Sequence, residues 1–435
     1  MILEPEVETR PWEEQQELDD SAYREQLAYL MERSAFYREK LGIASAADAG
    51  GLAGIARLPL TEKAELKATA SADNPIGTHL CVERAEIARI YSTSGTTGTP
   101  SYIPLTAGDL DNWITGSARS YAASGVERGQ RIVSTYNAGP FAAGAALASF
   151  DRIGLSHVPV GTGNTERLLR AIELLRPEAA VLTPSYAAYL AEQADLRDSS
   201  VKRVLVAGEP GGGEPAFRAA LEQGWGARVT EAMGIGDIGV SLWGECEEQD
   251  GMHLGARGYV YPEVIDPATG DPETVDPGTS GPVTGELVLT HLRHRAAPLL
   301  RFRTRDHVQV RTSPCPCGRT GPRVRCIGRT DDMLIVRGVN VFPSAVRKVV
   351  SGFAPDVSGH VLVRPKQPGV KQEPPLPVSV ELAPDRRADP ALADAISSRL
   401  RDALIVQTEI ELVPFGALKR SEYKAKLVAQ AKVEG

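Results

Sequence analysis

Tyr91 to Pro100 is a run of small polar residues whose types suit the binding of an anion. Serine, threonine and glycine alone fill positions 92–99, so backbone N–H groups and hydroxyls are exposed with no bulky side chain in the way. Successive N–H groups in such a turn form an anion-binding concavity. The apolar residues Ile87, Ala88 and Ile90 predict a strand that enters the loop. The run lacks the spacing of a Walker loop, and it predicts a phosphate-binding loop, with a flexible linker as the alternative.

Four later segments carry the charges and glycines that a phosphate-binding loop would need as partners. They are Glu231–Asp237, Arg301–Asp306, Gly328–Pro343 and Gly416–Lys426. Each segment is a weak signal by itself, whereas their order and spacing over more than 300 residues are hard to produce by chance.

The elements that would position these segments alternate between short apolar strands and amphipathic helices. This alternation predicts a mainly parallel sheet covered by helices. A helix is also predicted near the N-terminus, over 14–41. The later predictions are strands at 131–136, 179–183 and 201–207 and helices at 166–176 and 215–223.

The alternation of predicted strands and helices ends at a Pro-, Gly- and Asp-rich stretch at 267–285. The stretch precedes two segments, 285–290 and 299–310, that are typical of antiparallel strands. The C-terminal part of the chain predicts a separate α/β unit. Its elements are strands at 360–363, 377–382 and 409–413 and a helix over 390–404.

Charge and composition exclude several classes of protein. The 435 residues carry a net charge of −8, from 48 basic and 56 acidic residues, which argues against nucleic acid or an anionic membrane as the main partner. No apolar stretch is long enough to span a bilayer, and the polar, acidic segment 1–20 is not a signal peptide. Five cysteines in a chain of this size indicate reduced thiols or a metal site. A cytoplasmic protein is expected.

The motifs together resemble the adenylate-forming superfamily of acyl-CoA synthetases, peptide-synthetase adenylation domains and luciferases. The resemblance covers roughly residues 20–430 and is closest to the phenylacetate–CoA ligase-like branch. The runs that carry it are Arg301–Asp306, Cys315–Thr320, Gly328–Met333, Arg337–Pro343 and Arg420–Lys426.

The resemblance implies an α/β fold in two domains. Residues 1–328 would form a large ATP- and acyl-binding domain with parallel sheets, helices and a β-rich subdomain. Residues 329–435 would form a small mobile α/β domain, with a hinge near 330–332 at Asp331. The implied chemistry joins ATP and a carboxylic acid into an acyl-adenylate and pyrophosphate, with Mg²⁺ present, and then passes the acyl group to a thiol. Fixed donors, a lysine and Mg²⁺ would offset the repulsion between the carboxylate and the phosphates.

The resemblance also carries roles onto single residues. Lys424, Arg329 and Asp237 are the expected catalytic residues, with Lys424 reaching the α-phosphate and the acyl carboxylate. Asp306 would accept hydrogen bonds from the ribose hydroxyls. The remaining ATP- and AMP-binding residues implied are Ser94, Gly95, Thr96, Thr97, Gly98, Gly208, Glu209, Glu231, Ala232, Met233 and Gly234. The residues expected to line the acyl pocket are Tyr136, Phe141, Gly236 and Trp243. The alternatives are an ordinary turn or surface role for each charged residue and a place in the core for each aromatic residue.

Four positions depart from the family pattern. Thr99 stands where a lysine often precedes Pro100, so one partner for phosphate charge is missing. Met233 stands where an aromatic ring often stacks on adenine, and Asp237 where a glutamate often holds Mg²⁺. Tyr423 replaces a glycine just before Lys424. The departures indicate a specialised member with weaker or altered nucleotide binding.

Three cysteines and a histidine form a candidate structural zinc site. Cys246, His253, Cys315 and Cys317 would supply three thiolates and one imidazole to a tetrahedral ion. The C-x-C spacing is tighter than the usual C-x-x-C, and the resemblance adds that relatives in this branch share the four-ligand pattern. Such a zinc would hold loops together without taking part in the chemistry. The alternative is a set of free, partly buried thiols.

The leading interpretation is a free-standing ligase that adenylates an aromatic or arylacetic acid and transfers it to coenzyme A. A second interpretation keeps the chemistry and changes the acid or the acceptor, as in loading of a carrier protein, amide formation, or nitrite activation for diazotisation of an aryl amine. A third is a non-catalytic, degenerate nucleotide-binding protein, against which Asp306, Arg329 and Lys424 argue. A homodimer is compatible with the sequence.

We predict that Lys424→Ala abolishes adenylation and leaves ATP binding largely intact. The lysine would offset the charge that builds up at phosphorus, so its loss should slow the step by orders of magnitude. Acid-dependent pyrophosphate release measures adenylation, and titration with ATP measures binding. Equal adenylation rates in the variant and the parent would show that the assignment is wrong.

Overall fold

The computed structural model describes residues 1–93, 101–136, 143–161, 163–275, 281–330, 332–337, 339–367, 369–419 and 427–429. Eight of the predicted site residues lie outside this part of the chain. They are Ser94, Gly95, Thr96, Thr97, Gly98, Phe141, Asp331 and Lys424. The roles assigned to them stay predictions.

The described chain begins with helices, alternates between strands and helices over 102–235, and then consists mainly of strands as far as 341. The helices are α1 (Pro5–Glu8), α2 (Trp12–Arg33), α3 (Ala35–Leu41), α4 (Ala46–Ala49), α5 (Lys63–Ala68), α6 (Ala107–Ala123), α7 (Ala143–Ile153), α8 (Thr165–Leu175), α9 (Pro184–Gln193), α10 (Pro215–Trp225), α11 (Pro343–Ser351) and α12 (Pro390–Leu404). The strands are β1 (Arg89–Ser92), β2 (Tyr102–Leu105), β3 (Arg131–Ser134), β4 (Ser156–Pro159), β5 (Ala179–Leu182), β6 (Arg203–Ala207), β7 (Arg228–Ile235), β8 (Gly239–Glu245), β9 (Met252–Leu254), β10 (Val260–Ile265), β11 (Val283–His291), β12 (Phe302–Arg311), β13 (Arg323–Arg329), β14 (Leu334–Val336), β15 (Val339–Val341), β16 (Val357–Val363), β17 (Lys371–Gln372), β18 (Leu376–Leu382) and β19 (Thr408–Val413). Two 3₁₀ helices cover Leu52–Arg57 and Arg84–Glu86.

One mixed sheet of eleven described strands forms the centre of the protein, in the order β10-β11-β12-β13-β9-β8-β7-β6-β5-β3-β4. The pairings from β4 to β7 are parallel, and those from β7 to β10 are antiparallel. Strands β5 and β6 are short, rich in apolar residues and almost entirely buried, as expected of parallel strands covered by helices. The predicted helix-covered parallel sheet and β-rich region are confirmed, and β7 joins both in a single sheet.

The predicted elements of the parallel half match the structure closely, but the first helix does not. The predicted strands at 179–183 and 201–207 correspond to β5 and β6. The continuous helix predicted over 14–41 is wrong, because Ser34 breaks it. Ser34 has extended backbone angles, and its hydroxyl accepts a hydrogen bond from Tyr37 N at 3.3 Å. The serine therefore acts as the N-cap of α3, a task that competes with continuing α2.

The C-terminal elements form a smaller α/β unit with its own core. Its two three-stranded sheets have the orders β15-β14-β17 and β16-β18-β19, and α12 has the bounds that the sequence predicts. Val346, Val363, Leu376 and Leu400 meet in one buried cluster. In the described part of the chain, no helix has the length and apolar character needed to cross a membrane.

A buried ion pair ties the N-terminus to the antiparallel half of the sheet. One carboxylate oxygen of Glu8 accepts hydrogen bonds from Leu3 N and Glu4 N at 2.7 and 2.8 Å. The other accepts from Arg319 Nε at 2.7 Å. Arg319 also donates to the carbonyl oxygen of Met1 at 2.6 Å. Only 6% of the Arg319 side chain and 5% of the Glu8 side chain are exposed, so neither charge has water as an alternative partner.

We predict that Glu8→Ala lowers the free energy of unfolding by about 3–5 kcal/mol, because removal of one partner leaves a buried charge without compensation. Glu6→Ala is the matched control, since Glu6 lies in the same helix and is exposed. Urea unfolding of the two variants and the parent measures the effect. Equal midpoints for the Glu8 and Glu6 variants would contradict the prediction.

Candidate active site

Asp306 and Arg329 lie opposite each other on β12 and β13. Arg329 Nη1 and Asp306 Oδ1 are 3.0 Å apart, with 37% of the arginine and 11% of the aspartate side chain exposed. The ladder between the two strands shifts register just after Asp306. The structure thus brings together two residues that the sequence assigns to the ribose and phosphates of ATP.

The turn between β7 and β8 carries the next predicted site residues. Glu231, Ala232, Met233 and Gly234 belong to β7, and Gly236 and Asp237 form the turn that follows. A Cβ on Gly234 would lie 1.7 Å from the carbonyl oxygen of Val240. Only glycine fits this position, because the register of the β7–β8 pair shifts there.

Asp237 forms an ion pair that the sequence does not suggest. Lys63 Nζ, in the first turn of α5, lies 2.7 Å from Asp237 Oδ2 and donates a second hydrogen bond to Thr93 Oγ1 at 3.2 Å. A Cβ on Gly236 would lie 3.4 Å from Thr93 Cγ2. The Asp237 turn is therefore next to Thr93, the last described residue before the predicted phosphate loop.

The segment that follows β6, Gly208–Gly213, contacts the C-terminal unit. Gly208 has a φ of +98°, in the region that favours glycine. The Glu209 carboxylate accepts a hydrogen bond from Ser185 N at 2.7 Å, at the start of α9. Arg347, on α11, donates to the carbonyl oxygen of Pro210 at 2.6 Å, so α11 docks on this predicted nucleotide-binding segment.

The side chain of Glu231 is buried next to Gly212 and Gly213 of this segment. Its backbone N–H donates to Glu245 Oε2 at 3.1 Å, and Arg218 Nη2 donates to the same oxygen at 2.6 Å. Burial raises the pKa of Glu231 from 4.5 to about 7, and the charge of Glu245 adds to the rise, while Arg218 opposes it. One arginine therefore faces two carboxylates, and Glu231 holds its proton more strongly than an ordinary glutamate.

The candidate acyl-pocket aromatics lie in two different environments. Trp243 is opposite Met233 across β7 and β8, and both side chains belong to the core of the antiparallel half. Tyr136 follows β3, is half-buried, and packs against the cluster that includes Tyr121 and Phe150. Tyr136 therefore borders the parallel half, and the pocket roles of both aromatics remain predictions.

Cys246, His253, Cys315 and Cys317 converge at the end of β12 and β13 away from Asp306. Their ligand atoms all lie within 4.8 Å of one another. Cys246 Sγ and Cys315 Sγ are 3.7 Å apart, and Cys317 Sγ is 3.4 Å from His253 Nε2. Two thiolates bound to one tetrahedral zinc at 2.3 Å would be about 3.8 Å apart. The cysteines form no disulfide, and the donor set fits a zinc ion.

Sequence reasoning missed Lys63 and the charges that hold α5. The one local signal for Lys63 is its position at the start of α5. A lysine is unfavourable in the first turn of a helix, which indicates that another role keeps it there. Sequence reasoning also missed a buried pair of stacked histidines, His291 and His294, with ring centroids 4.2 Å apart. His291 Nε2 lies 3.2 Å from the carbonyl oxygen of Ile238. The pair lines a narrow cavity beside the Asp237 turn, together with Tyr259 and Trp113.

Comparison with known proteins places the chain in a family. Residues 32–291 match the model of the AMP-binding enzyme, and residues 338–432 match that of the AMP-binding enzyme C-terminal domain. The chain belongs to the AMP-binding enzyme family. A phenylacetate-coenzyme A ligase of Thermus thermophilus is 35% identical over 97% of each chain. One from Escherichia coli K12 is 29% identical, over 97% of this chain and 96% of the relative. The chain is an ATP-dependent, AMP-forming acid–thiol ligase, which adenylates an acid and then transfers the acyl group to coenzyme A.

Solved structures of one ligase, in three states, superpose on nearly the whole chain. A 2-hydroxyisobutyryl-CoA ligase in the postadenylation state, with 2-HIB-AMP, is 26% identical and superposes with a TM-score of 0.87, over 99% of this chain and 92% of that chain. The open conformation of the same ligase gives a TM-score of 0.72, and its thioesterification state gives 0.70. The adenylate-forming fold is confirmed, and this chain superposes better on the postadenylation structure than on the other two.

We predict that the buried Glu231 makes stability fall as pH rises from about 4.5 to about 7. Across this interval the folded state keeps a proton that the unfolded chain has released, so unfolding becomes easier at higher pH. Glu231→Gln should flatten this fall, and Glu127→Gln, at an exposed position, should not. Denaturant unfolding at several pH values measures the slopes. Parallel slopes in the parent and the Glu231 variant would contradict the assignment.

Proposed function

We propose that this ligase acts on an arylacetic acid of the phenylacetate type. The acid class is supported by the relatives in Thermus thermophilus, Aromatoleum evansii, Pseudomonas putida and Escherichia coli, which are all phenylacetate-coenzyme A ligases. The observation that carries the site is the Asp306–Arg329 pair, held 3.0 Å apart on neighbouring strands. A carboxylate beside a guanidinium suits a ribose next to a phosphate.

The proposed reaction has two steps. A carboxylate oxygen of the acid bonds to the α-phosphorus of ATP, the bond from that phosphorus to the bridging oxygen breaks, and pyrophosphate leaves. The thiolate of coenzyme A then attacks the acyl carbon, and AMP leaves with the electrons of the broken C–O bond. Asp306 would hold the ribose, Arg329 the phosphates, and Asp237 the Mg²⁺ that accompanies ATP. Lys424 would reach the α-phosphate in the first step.

We place the boundary between the two domains after residue 328, with the hinge at Asp331. In support, β13 ends at Arg329 in the large sheet, and β14 begins the small unit at Leu334. Movement about this hinge would exchange the residues that face the adenylate between the two steps.

We also propose a structural zinc ion at Cys246, His253, Cys315 and Cys317. Its four ligands would leave no open position for catalysis. Arg319 Nη1 lies 3.8 Å from Cys317 Sγ, and a hydrogen bond from the Cys246 thiol, together with His253, lowers the pKa of Cys317. Both effects favour a thiolate at Cys317, whereas the same hydrogen bond, together with burial, raises the pKa of the Cys246 thiol.

A panel of acids tests the proposed reaction. The protein is mixed with ATP, Mg²⁺ and phenylacetate, benzoate, 2-hydroxyisobutyrate or nitrite, and pyrophosphate release is measured with and without coenzyme A. We expect the largest release with phenylacetate and a thioester only when coenzyme A is present, detected by mass spectrometry. Release with another acid, or without any thioester, would refute the acid or the acceptor. No release with any acid would refute catalysis.

We predict about one equivalent of zinc in the purified protein, measured by metal analysis. Cys315→Ser should lower the zinc content and the melting temperature together, since the metal binds the folded state. Cys81→Ser serves as the matched control, because Cys81 is buried away from the cluster. Less than about half an equivalent in the parent would contradict the site.

A further inference from the structure

We propose that His291 is a positioning residue, which fixes the Asp237 turn relative to the strand that carries Asp306. This inference rests on the proposed adenylating function, in which Asp237 would hold Mg²⁺ and Asp306 the ribose. His291 is the last residue of β11. Its ring Nε2 lies 3.2 Å from the carbonyl oxygen of Ile238, the residue after Asp237. Both partners are buried, with 3% of His291 and 0% of Ile238 exposed.

The Asp237 turn is rich in glycine and needs an anchor from outside. Ile235 and Gly239 pair across β7 and β8. The loop between them consists of Gly236, Asp237 and Ile238, and Ile238 N donates to the carbonyl oxygen of Ile235 at 2.8 Å. Glycine at 236 and 239 gives the backbone a wide conformational range. A carboxylate carried by this turn therefore has a defined position only if the surroundings hold the turn.

A hydrogen bond from Leu299 fixes the ring of His291 in one tautomer. The backbone N–H of Leu299 donates to His291 Nδ1 at 3.0 Å, so Nδ1 carries no proton. The proton of the neutral ring is then on Nε2, which donates to the carbonyl oxygen of Ile238. Burial lowers the pKa of His291 well below its ordinary value. The ring therefore stays neutral and keeps one acceptor and one donor in these positions.

The segment that holds the ring is itself fixed by buried contacts. His291 N donates to the carbonyl oxygen of Leu299 at 2.9 Å, so backbone and ring bind the same residue. Leu300 N donates to the hydroxyl of Tyr37 at 2.9 Å. Strand β12 begins two residues after Leu300 and carries Asp306. The imidazole of His291 therefore joins the Asp237 turn to the beginning of that strand.

His294 holds the plane of the His291 ring. The two imidazoles are stacked, with centroids 4.2 Å apart and planes 15° apart. His294 N donates to Gln26 Oε1 at 2.8 Å, and the Asp109 carboxylate accepts hydrogen bonds from the next two backbone N–H groups. Because the backbone at His294 is fixed, rotation of the His291 ring away from Ile238 would break the stacking.

The hydrogen bond to Ile238 acts on the nucleotide through the position of Asp237. Asp237 lies between β7 and β8, and Asp306 lies on β12, whereas the proposed reaction requires both to face one Mg·ATP. A catalytic group that is misplaced by about 1 Å can cost about 100-fold in rate. A buried link between the turn and β12 sets the separation of the two carboxylates before the nucleotide binds.

Two amide variants separate the roles of the two ring nitrogens. His291→Asn keeps an acceptor near the position of Nδ1 and loses the donor to Ile238, whereas His291→Gln keeps a donor near the position of Nε2. We expect His291→Asn to weaken binding of Mg·ATP by about 3- to 10-fold, the effect of one lost hydrogen bond between neutral groups. His291→Gln should recover most of the affinity. Isothermal titration without the acid measures it, and the affinity for ATP in EDTA should change far less.

Hydrogen exchange of the turn tests the anchor without any ligand. The amides of residues 236–240 should exchange faster in His291→Asn than in the parent, and at the parent's rate in His291→Gln. His79→Asn is the matched control, because His79 is also a buried histidine and its ring lies against Phe36. Unchanged exchange of the turn in His291→Asn would overturn the proposal.

A spectrum of the parent needs no variant to fold. Nitrogen NMR of the protein with labelled histidine should show His291 neutral, with its proton on Nε2, and the opposite tautomer would overturn the donor role. Equal losses of Mg·ATP affinity in His291→Gln and His291→Asn would show a packing role alone and would also overturn the proposal. Absence of pyrophosphate release from the parent would instead refute the proposed function, while the exchange rates and the spectrum would still judge His291.

Discussion

The buried carboxylate of Glu286 sets a constraint on which the site depends. Its side chain is fully buried on β11, and two hydrogen bonds from Arg303, at 2.8 and 2.7 Å, neutralise it. Removal of a carboxylate from water is costly unless a well-oriented cation compensates. Because Arg303 is committed to Glu286, β12 is fixed against β11. Arg303 and Arg305 then reach Glu62 from that fixed strand.

Three ion pairs join charged groups in and beside the candidate site across different elements. Asp306 pairs with Arg329 on the next strand, Asp237 pairs with Lys63 on α5, and Arg305 pairs with Glu62. The cations Arg329, Lys63 and Arg305 are therefore oriented by carboxylate partners. Catalysis by preorganised charges depends on this kind of arrangement.

Local patterns predicted much of this fold, and long-range pairs account for what they missed. The short apolar runs that became β5 and β6 are visible in the sequence, because a strand covered by helices must be apolar. The break at Ser34 was also local, but a serine inside a helical pattern has two outcomes, and capping of α3 prevailed here.

The site was predictable where a motif names its residues. Asp306 and Arg329 belong to such motifs, and the structure brings the two together. Lys63 and Asp237 are separated by 174 positions, and Glu8 and Arg319 by 311. No periodicity or spacing in one sequence reports a contact of that range, because the contact depends on how β12, α5 and the N-terminus pack.

The docking of α11 on the Gly208–Gly213 segment buries a charge at the contact between the two parts. Arg347 is buried there, and burial lowers its pKa. Among the residues that the structure describes, none makes a hydrogen bond with its Nε. A guanidinium in this position gives up hydration for an incomplete set of contacts. Separation of α11 from this segment would return the guanidinium to water. The hydration it regains would offset part of the free energy lost with the contact. The contact between α11 and this segment is therefore held at a cost in hydration that an exposed arginine would not have.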